Sequence, residues 1–181
     1  MRTLADIVPA EAGAYMIRYT NGSSDTKILF PDDTGVLKIK KLKNRGDDPR
    51  WVALRSDAKV IAALDNTGAV YQTLKLSKKA YPINALQTSK LHKKPTVIVL
   101  MKKSGKKQSA VAVVQLKSAD KDSDTLLGKK AIRLFKKTAL KTTKKVSIES
   151  TEKKIIQRLI VHTKTTSKQL RFNSRDWKFV D

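Results

Sequence analysis

Short runs of apolar and β-branched residues recur along the chain, and polar turn residues separate them. In four places two such runs flank one polar segment, which is the pattern of a β-hairpin. Gly35, Gly68 and Gly105 stand where a hairpin turn favours a positive φ. The expected turns are 31–35, 65–68 and 102–108. The predicted hairpins pair 27–30 with 36–39, 59–64 with 69–74, 96–101 with 109–114, and 158–162 with 168–172.

Further short runs at 50–54 and 145–148 predict additional strands. The best helix candidate is 125–140, where a strand at 131–135 fits equally well. We therefore predict an all-β fold of antiparallel hairpin repeats, either propeller- or pinwheel-like or barrel-like. We expect one β-rich domain over residues 1–181, with an N-terminal arm at 1–14. The apolar residues expected to be buried are Ile61, Ala63, Val97, Val99 and Ile160.

The charge of the chain is large and unevenly distributed. Its 181 residues contain 39 Lys and Arg against 16 Asp and Glu, a formal net charge of +23. Residues 1–65 hold 11 basic and 9 acidic residues, whereas residues 66–181 hold the remaining 28 and 7. No acid occurs at 66–119 or at 125–148. Such segregation indicates a basic face for a polyanion, because solubility alone would intersperse the two signs.

The type of basic residue and the scarcity of aromatic residues indicate which class of nucleic acid to expect as the partner. Most of the cations are lysines, which contact phosphates as point charges, whereas arginines are favoured for reading base edges. Aromatic residues make up 6% of the chain, fewer than a single-strand binder needs for base stacking. We therefore favour duplex DNA, with RNA as an alternative. The candidate nucleic-acid-binding residues are Lys102, Lys103, Lys106, Lys107, Lys129, Lys130, Arg133, Lys136, Lys137, Lys144 and Lys145, with a further group at Lys78, Lys79, Lys93 and Lys94.

Residues suited to catalysis or metal binding are scarce. There is no cysteine. Of the two histidines, His92 has cationic neighbours and no acid near it in sequence, and His162 alternates with Ile160 on a predicted strand, where we expect a strand residue. The paired carboxylates at 32–33 and 47–48 lie in turn-like segments, where we expect them to stabilise the turns. No phosphate-binding glycine motif is present. We expect neither an enzyme nor a metal or cofactor site.

The sequence also bears on localisation. No apolar run reaches the roughly 18 residues that a membrane span needs. The first fifteen residues contain Asp6 and Glu11 and no long apolar stretch, unlike a secretory signal. We therefore expect a cytoplasmic protein associated with nucleic acid, with no membrane partner.

Two segments share a pattern with a known family. Residues 60–71, VIAALDNTGAVY, combine an apolar strand, a short turn with glycine and a second strand, and residues 159–176 repeat this arrangement with Arg-Phe-Asn-Ser at 171–174. They resemble the repeated unit of the C-terminal domain of type IIA topoisomerase A subunits, gyrase A and topoisomerase IV. The resemblance implies a β-pinwheel with a basic rim that wraps duplex DNA. The Gln-Arg-Gly-rich box of gyrases and the breakage–reunion core are both missing from this chain.

These observations lead to one preferred function and two alternatives. We expect a non-enzymatic domain that grips the DNA phosphate backbone with a lysine-rich face and little sequence specificity. The first alternative is a basic structural protein of a ribonucleoprotein or of a viral (phage) assembly, and the domain could then belong to a larger protein assembly. The second is a protein whose basic face binds an acidic protein.

Overall fold

The structure, a computed structural model, describes residues 2–42, 51–81, 83–91, 94–102, 109–116, 128–135, 147–150, 155–162 and 167–181. These residues form fifteen β-strands and no helix, and the strands make four antiparallel sheets. The prediction of an all-β, antiparallel fold is confirmed. The described chain divides into two compact units, of which the first ends at Ala80 and the second begins at Tyr81. The expectation of one domain over the whole chain stays a prediction.

Two sheets make up the first unit. Every strand in them pairs with its neighbour in sequence, so each sheet is a meander. Sheet 1 contains β1 (Leu4–Pro9), β2 (Ala14–Tyr19) and β3 (Ser24–Ile28). Sheet 2 contains β4 (Lys38–Lys41), β5 (Trp51–Leu54), β6 (Val60–Leu64) and β7 (Val70–Lys75). Much of the segment expected to be an N-terminal arm forms β1, which pairs with β2 from Leu4 opposite Tyr19 to Pro9 opposite Tyr15.

The two sheets of the first unit share a core. Strand β2 contributes alternate apolar residues, whereas β5 and β6 are buried on both faces and therefore read as continuous apolar runs. The hydroxyl of Tyr15 donates a 2.7 Å hydrogen bond to the carbonyl oxygen of Gly68, which joins sheet 1 to the β6–β7 turn. The core cluster is Ile7, Tyr15, Ile17, Phe30, Leu37, Trp51, Ala53, Ala62 and Leu64.

A buried carboxylate organises the connection between sheets 1 and 2. Asp33 is 7% exposed, and its oxygens accept hydrogen bonds from the Gly35 amide at 2.8 Å, the Ser56 amide at 2.9 Å and the Ser56 hydroxyl at 2.6 Å. Burial raises the pKa of Asp33, but the hydrogen bonds from Ser56 and Gly35 and the charge of Arg55 outweigh it and leave the pKa below its ordinary value. The interpretation of Asp33 as a turn-stabilising residue is confirmed, and Asp47 and Asp48 lie outside the described residues.

The connection also contacts the β1–β2 turn. The amides of Leu29 and Phe30 donate to the carbonyl oxygen of Gly13, and the Gly13 amide donates to the carbonyl oxygen of Gly35. Gly13 has a φ of 69°, and a Cβ at this position would overlap the main-chain oxygen of Phe30. Only glycine fits this close approach.

The second unit also consists of two meanders. Sheet 3 contains β8 (Ile83–Leu91), β9 (Lys94–Lys102), β10 (Ser109–Gln115) and β11 (Lys130–Phe135). Sheet 4 contains β12 (Ser147–Ser150), β13 (Ile156–His162), β14 (Ser167–Asn173) and β15 (Lys178–Val180). The segment at 131–135, whose sequence fits a helix and a strand equally well, is therefore part of a strand.

Aromatic rings anchor the core of the second unit. Phe172 is fully buried and packs edge-on against Trp177, with ring centroids 5.2 Å apart, and against Phe179 at 5.3 Å. These contacts lie within the β14–β15 hairpin, and the hydrophobic cluster to which the rings belong also includes residues of sheet 3. The buried members of the cluster are Leu91, Ile98, Leu100, Val111, Val113, Leu159, Val161, Leu170, Phe172 and Trp177.

Three of the four predicted hairpins are confirmed, namely β6–β7, β9–β10 and β13–β14. The hairpin across 31–35 is wrong, because β3 pairs with β2 and β4 pairs with β5. The Asn21-Gly22 turn joins β2 to β3, and Gly22 has a φ of 83°. Gly68 has the expected positive φ, whereas Gly35 does not, and Gly105 lies outside the described residues.

The predicted burial is correct at four of five positions. Ile61, Ala63, Val97 and Val99 are completely buried. Ile160 is only partly buried, because its neighbours Leu159 and Val161 face the core and the strand alternates. A continuous apolar run does not reveal which of its residues faces inward, so this expectation is wrong by one position.

Candidate nucleic-acid interface

The structure describes part of the predicted basic surface. Lys102 is exposed at the end of β9, Lys129 and Lys130 are exposed at the start of β11, and Lys78 and Lys79 are exposed after β7. Lys94 belongs to β9, but its side chain is not described. The predicted residues outside the described ranges are Lys93, Lys103, Lys106, Lys107, Lys136, Lys137, Lys144 and Lys145.

The register of sheet 3 separates two of the predicted groups. Lys102 pairs with Ser109 at one end of β10, whereas Lys130 pairs with Val114 near the other end. At a rise of about 3.4 Å per residue, these positions are roughly 17 Å apart along the strand. Lys102 and Lys130 therefore do not form one cluster.

Arg133 is engaged within the second unit. Its guanidinium donates to the side-chain Oδ1 of Asp181 at 2.9 Å and to the main-chain oxygen of Val180 at 3.3 Å. The arginine is partly buried and links β11 to the segment that ends sheet 4. These bonds engage both terminal nitrogens of a partly buried guanidinium, so Arg133 is a weaker candidate than the exposed lysines.

Two further basic residues share a face that the sequence pattern does not single out. Arg158 on β13 and Arg171 on β14 are exposed and stand directly opposite each other in the register of sheet 4. Their neighbours Leu159 and Leu170 are buried in the core, so the two arginines lie on the outer face. The alternation of polar and apolar residues along each strand predicts that both arginines face outward. That they stand opposite each other follows only from the register between β13 and β14.

A histidine and a tyrosine make two further polar contacts with carboxylates among the described residues. His162 Nε2 lies 3.4 Å from a carboxylate oxygen of Glu149 on the neighbouring strand, and Ser167 is its register partner on β14. The Tyr19 hydroxyl donates to Asp25 at 2.8 Å, and this hydrogen bond raises the tyrosine pKa. Within the described ranges, no three His, Asp or Glu side chains are grouped so as to hold a metal ion.

Comparison with known proteins adds no assignment. No protein-family model matches the sequence, and no curated protein matches it at a significant level. The resemblance to topoisomerase C-terminal domains therefore stays a prediction. Among the residues that the structure describes, no helix has the length and apolar character required to cross a membrane.

Proposed function

We propose that this protein is a non-enzymatic nucleic-acid-binding protein that holds the phosphate backbone of duplex DNA on the basic surface of its second unit. The observation that carries the proposal is the charge imbalance in that unit, where nine described side chains are basic and three are acidic. All the basic ones except Arg133 are exposed. The basic residues are Lys102, Lys129, Lys130, Arg133, Arg158, Lys168, Arg171, Arg175 and Lys178, and the acids are Glu149, Asp176 and Asp181.

The first unit provides the contrast. Each of its described arginines is ion-paired: Arg2 with Asp25, Arg18 with Asp6, and Arg55 with Asp57 at 3.2 Å. Charges that are neutralised internally contribute little to the attraction of a polyanion. The described side chains of the second unit have an excess of six basic residues (nine against three), compared with four in the first unit (eleven against seven). This larger excess favours the second unit as the binding surface. Lysine-dominated binding to phosphates carries no base information, which is why we expect little sequence preference.

The salt dependence of binding tests this proposal. For a random-sequence duplex of about 20 base pairs, log K should fall linearly with log[salt], with a slope near −0.9 for each phosphate that the protein neutralises. We expect roughly 5–10 such phosphates, so affinity should drop on the order of 10³–10⁵-fold between 50 and 200 mM salt. A nearly flat salt response would refute binding by phosphate neutralisation.

Two sets of four lysines provide a matched comparison. Replacing Lys102, Lys103, Lys106 and Lys107 by Ala should reduce the salt slope by about one for each lysine that binds a phosphate. The same number of substitutions in the nearly neutral first third, at Lys27, Lys38, Lys40 and Lys41, should weaken binding less. Equal decreases in affinity from both sets would show that total charge governs binding, and not the segregated face.

Nuclease treatment distinguishes DNA from RNA as the nucleic acid that the protein binds. The protein isolated from its cells should carry nucleic acid that DNase removes and RNase does not. Removal by RNase alone would instead favour a role in a ribonucleoprotein or viral assembly.

A further inference from the structure

The outer face of sheet 4 carries two arginines in direct cross-strand register. Arg158 and Arg171 form one directly opposed pair of the β13–β14 ladder. The Cβ atoms of such pairs lie about 4.5–5.5 Å apart. Ile160 and Gln169 form the next outward-facing pair on one side, and both are uncharged.

No described side-chain carboxylate bonds to either arginine of this pair. Arg171 donates to the main-chain oxygen of Asp181 at 3.2 Å, whereas Arg158 has no hydrogen-bond or ion-pair partner among the described residues. The carboxylate of Glu149, opposite Ile160 on β12, contacts His162 instead. Arg18 of the first unit is neutralised by contrast, because its guanidinium donates two hydrogen bonds of 2.8 Å to the carboxylate of Asp6.

Like charges placed directly opposite each other destabilise a sheet. A forked guanidinium also binds phosphate oxygens through two parallel hydrogen bonds, which a lysine cannot do. We propose that Arg158 and Arg171 form a phosphate-binding pair, through which the outer face of sheet 4 holds the backbone of a nucleic acid duplex. This inference rests on the proposed function and names two specific binding residues for it.

The experiment compares two double variants that remove the same charge. Arg158→Gln with Arg171→Gln removes the pair, and Arg2→Gln with Arg18→Gln removes two exposed arginines that already have carboxylate partners. Binding is measured by fluorescence anisotropy with the same DNA duplex over the same salt range. The first variant should bind on the order of tenfold more weakly for each arginine at about 0.1 M salt, and the salt slope should fall by about two. The second should bind nearly as the wild type does.

Stability separates a binding role from a structural one. Removing the repulsion should leave the Tm of the Arg158→Gln, Arg171→Gln variant unchanged or raised, so a clear fall in Tm would indicate that the arginines serve the fold and overturn the inference. Arg158→Lys with Arg171→Lys keeps the charge and should retain the salt slope while weakening binding several-fold. This variant also keeps the test decisive if the Gln variant does not fold, since unchanged affinity would overturn the inference.

The two proposals fail in different ways. If the wild type and both Gln variants bind the duplex equally, the arginine pair is overturned and the proposed function stands. If the wild type binds neither the DNA duplex nor an RNA duplex of the same length, both are overturned.

Discussion

Replacing Asp33 by Asn should destabilise the first unit far more than its nearly unchanged volume suggests. The carboxylate accepts three hydrogen bonds, from the Gly35 amide and from the amide and hydroxyl of Ser56. An asparagine amide presents a donor to a site built from donors, so at least one bond must break and the others become weaker without the negative charge. Hydrogen bonds to charged groups contribute about 1.5–3 kcal/mol each, and because the site is partly buried we expect a total decrease of about 2–4 kcal/mol.

Thermal and urea-induced unfolding measure this decrease. For a chain of this length, the Tm should fall by roughly 4–16 °C, at about 2–4 °C for each kcal/mol. Asp32→Asn is the matched control, since Asp32 is exposed and makes no hydrogen bond to a described residue. Its effect should stay within about 0.5 kcal/mol. Similar stabilities of the two variants at neutral pH would refute the role assigned to Asp33.

The lowered pKa of Asp33 adds a pH dependence with a definite sign. A carboxyl group whose folded-state pKa is depressed stabilises the fold fully above its unfolded pKa of about 3.9. That stabilisation is lost as the pH falls through the folded-state pKa, which lies lower. The advantage of the wild type over Asp33→Asn should therefore shrink below about pH 4. An advantage that stays constant into strong acid would contradict this account.

Three further outcomes are expected. Ala12 has a φ of 49° just before Gly13, so Ala12→Asn should raise stability by on the order of 1 kcal/mol in denaturant unfolding, and a decrease would contradict the turn geometry. Tyr15→Phe leaves the Gly68 carbonyl oxygen without its 2.7 Å donor and should cost about 1–3 kcal/mol in the same assay; no change would mean that the bond contributes nothing. Far-UV circular dichroism should show a β spectrum, and a helix-dominated one would contradict the fold.

The parts of the fold that follow local rules could be predicted from the sequence. The β6–β7 hairpin is an example, because Asp65 and Gly68 make a turn whose hydrogen bonds lie within five residues. The 31–35 segment has similar composition, yet it connects two sheets. Its conformation is set by Ser56 and Gly13, which are distant in sequence and therefore leave no local signal. Which residues of an apolar run face the core, as at Ile160, also depends on which face of the strand the rest of the unit covers.

The candidate site also has features that the sequence predicts and features that it does not. Charge segregation is visible in the composition alone, and it indicates the second half of the chain. The opposed position of Arg158 and Arg171 depends on the register between β13 and β14, and a shift of one residue would remove it. The engagement of Arg133 by Asp181 joins residues 48 positions apart, so composition could not distinguish Arg133 from the exposed lysines.

The meander order of the sheets has a consequence for synthesis on the ribosome. Every strand pairing in the described chain joins consecutive strands, so the loops that must close are short and folding can proceed hairpin by hairpin. All pairing partners of sheets 1 and 2 are present once residue 80 has emerged. At about 5–20 residues per second, the remaining 101 residues take roughly 5–20 s to translate, whereas hairpins form in about 1–10 μs. Sheets 1 and 2 can thus fold before most of the lysine-rich chain has been made.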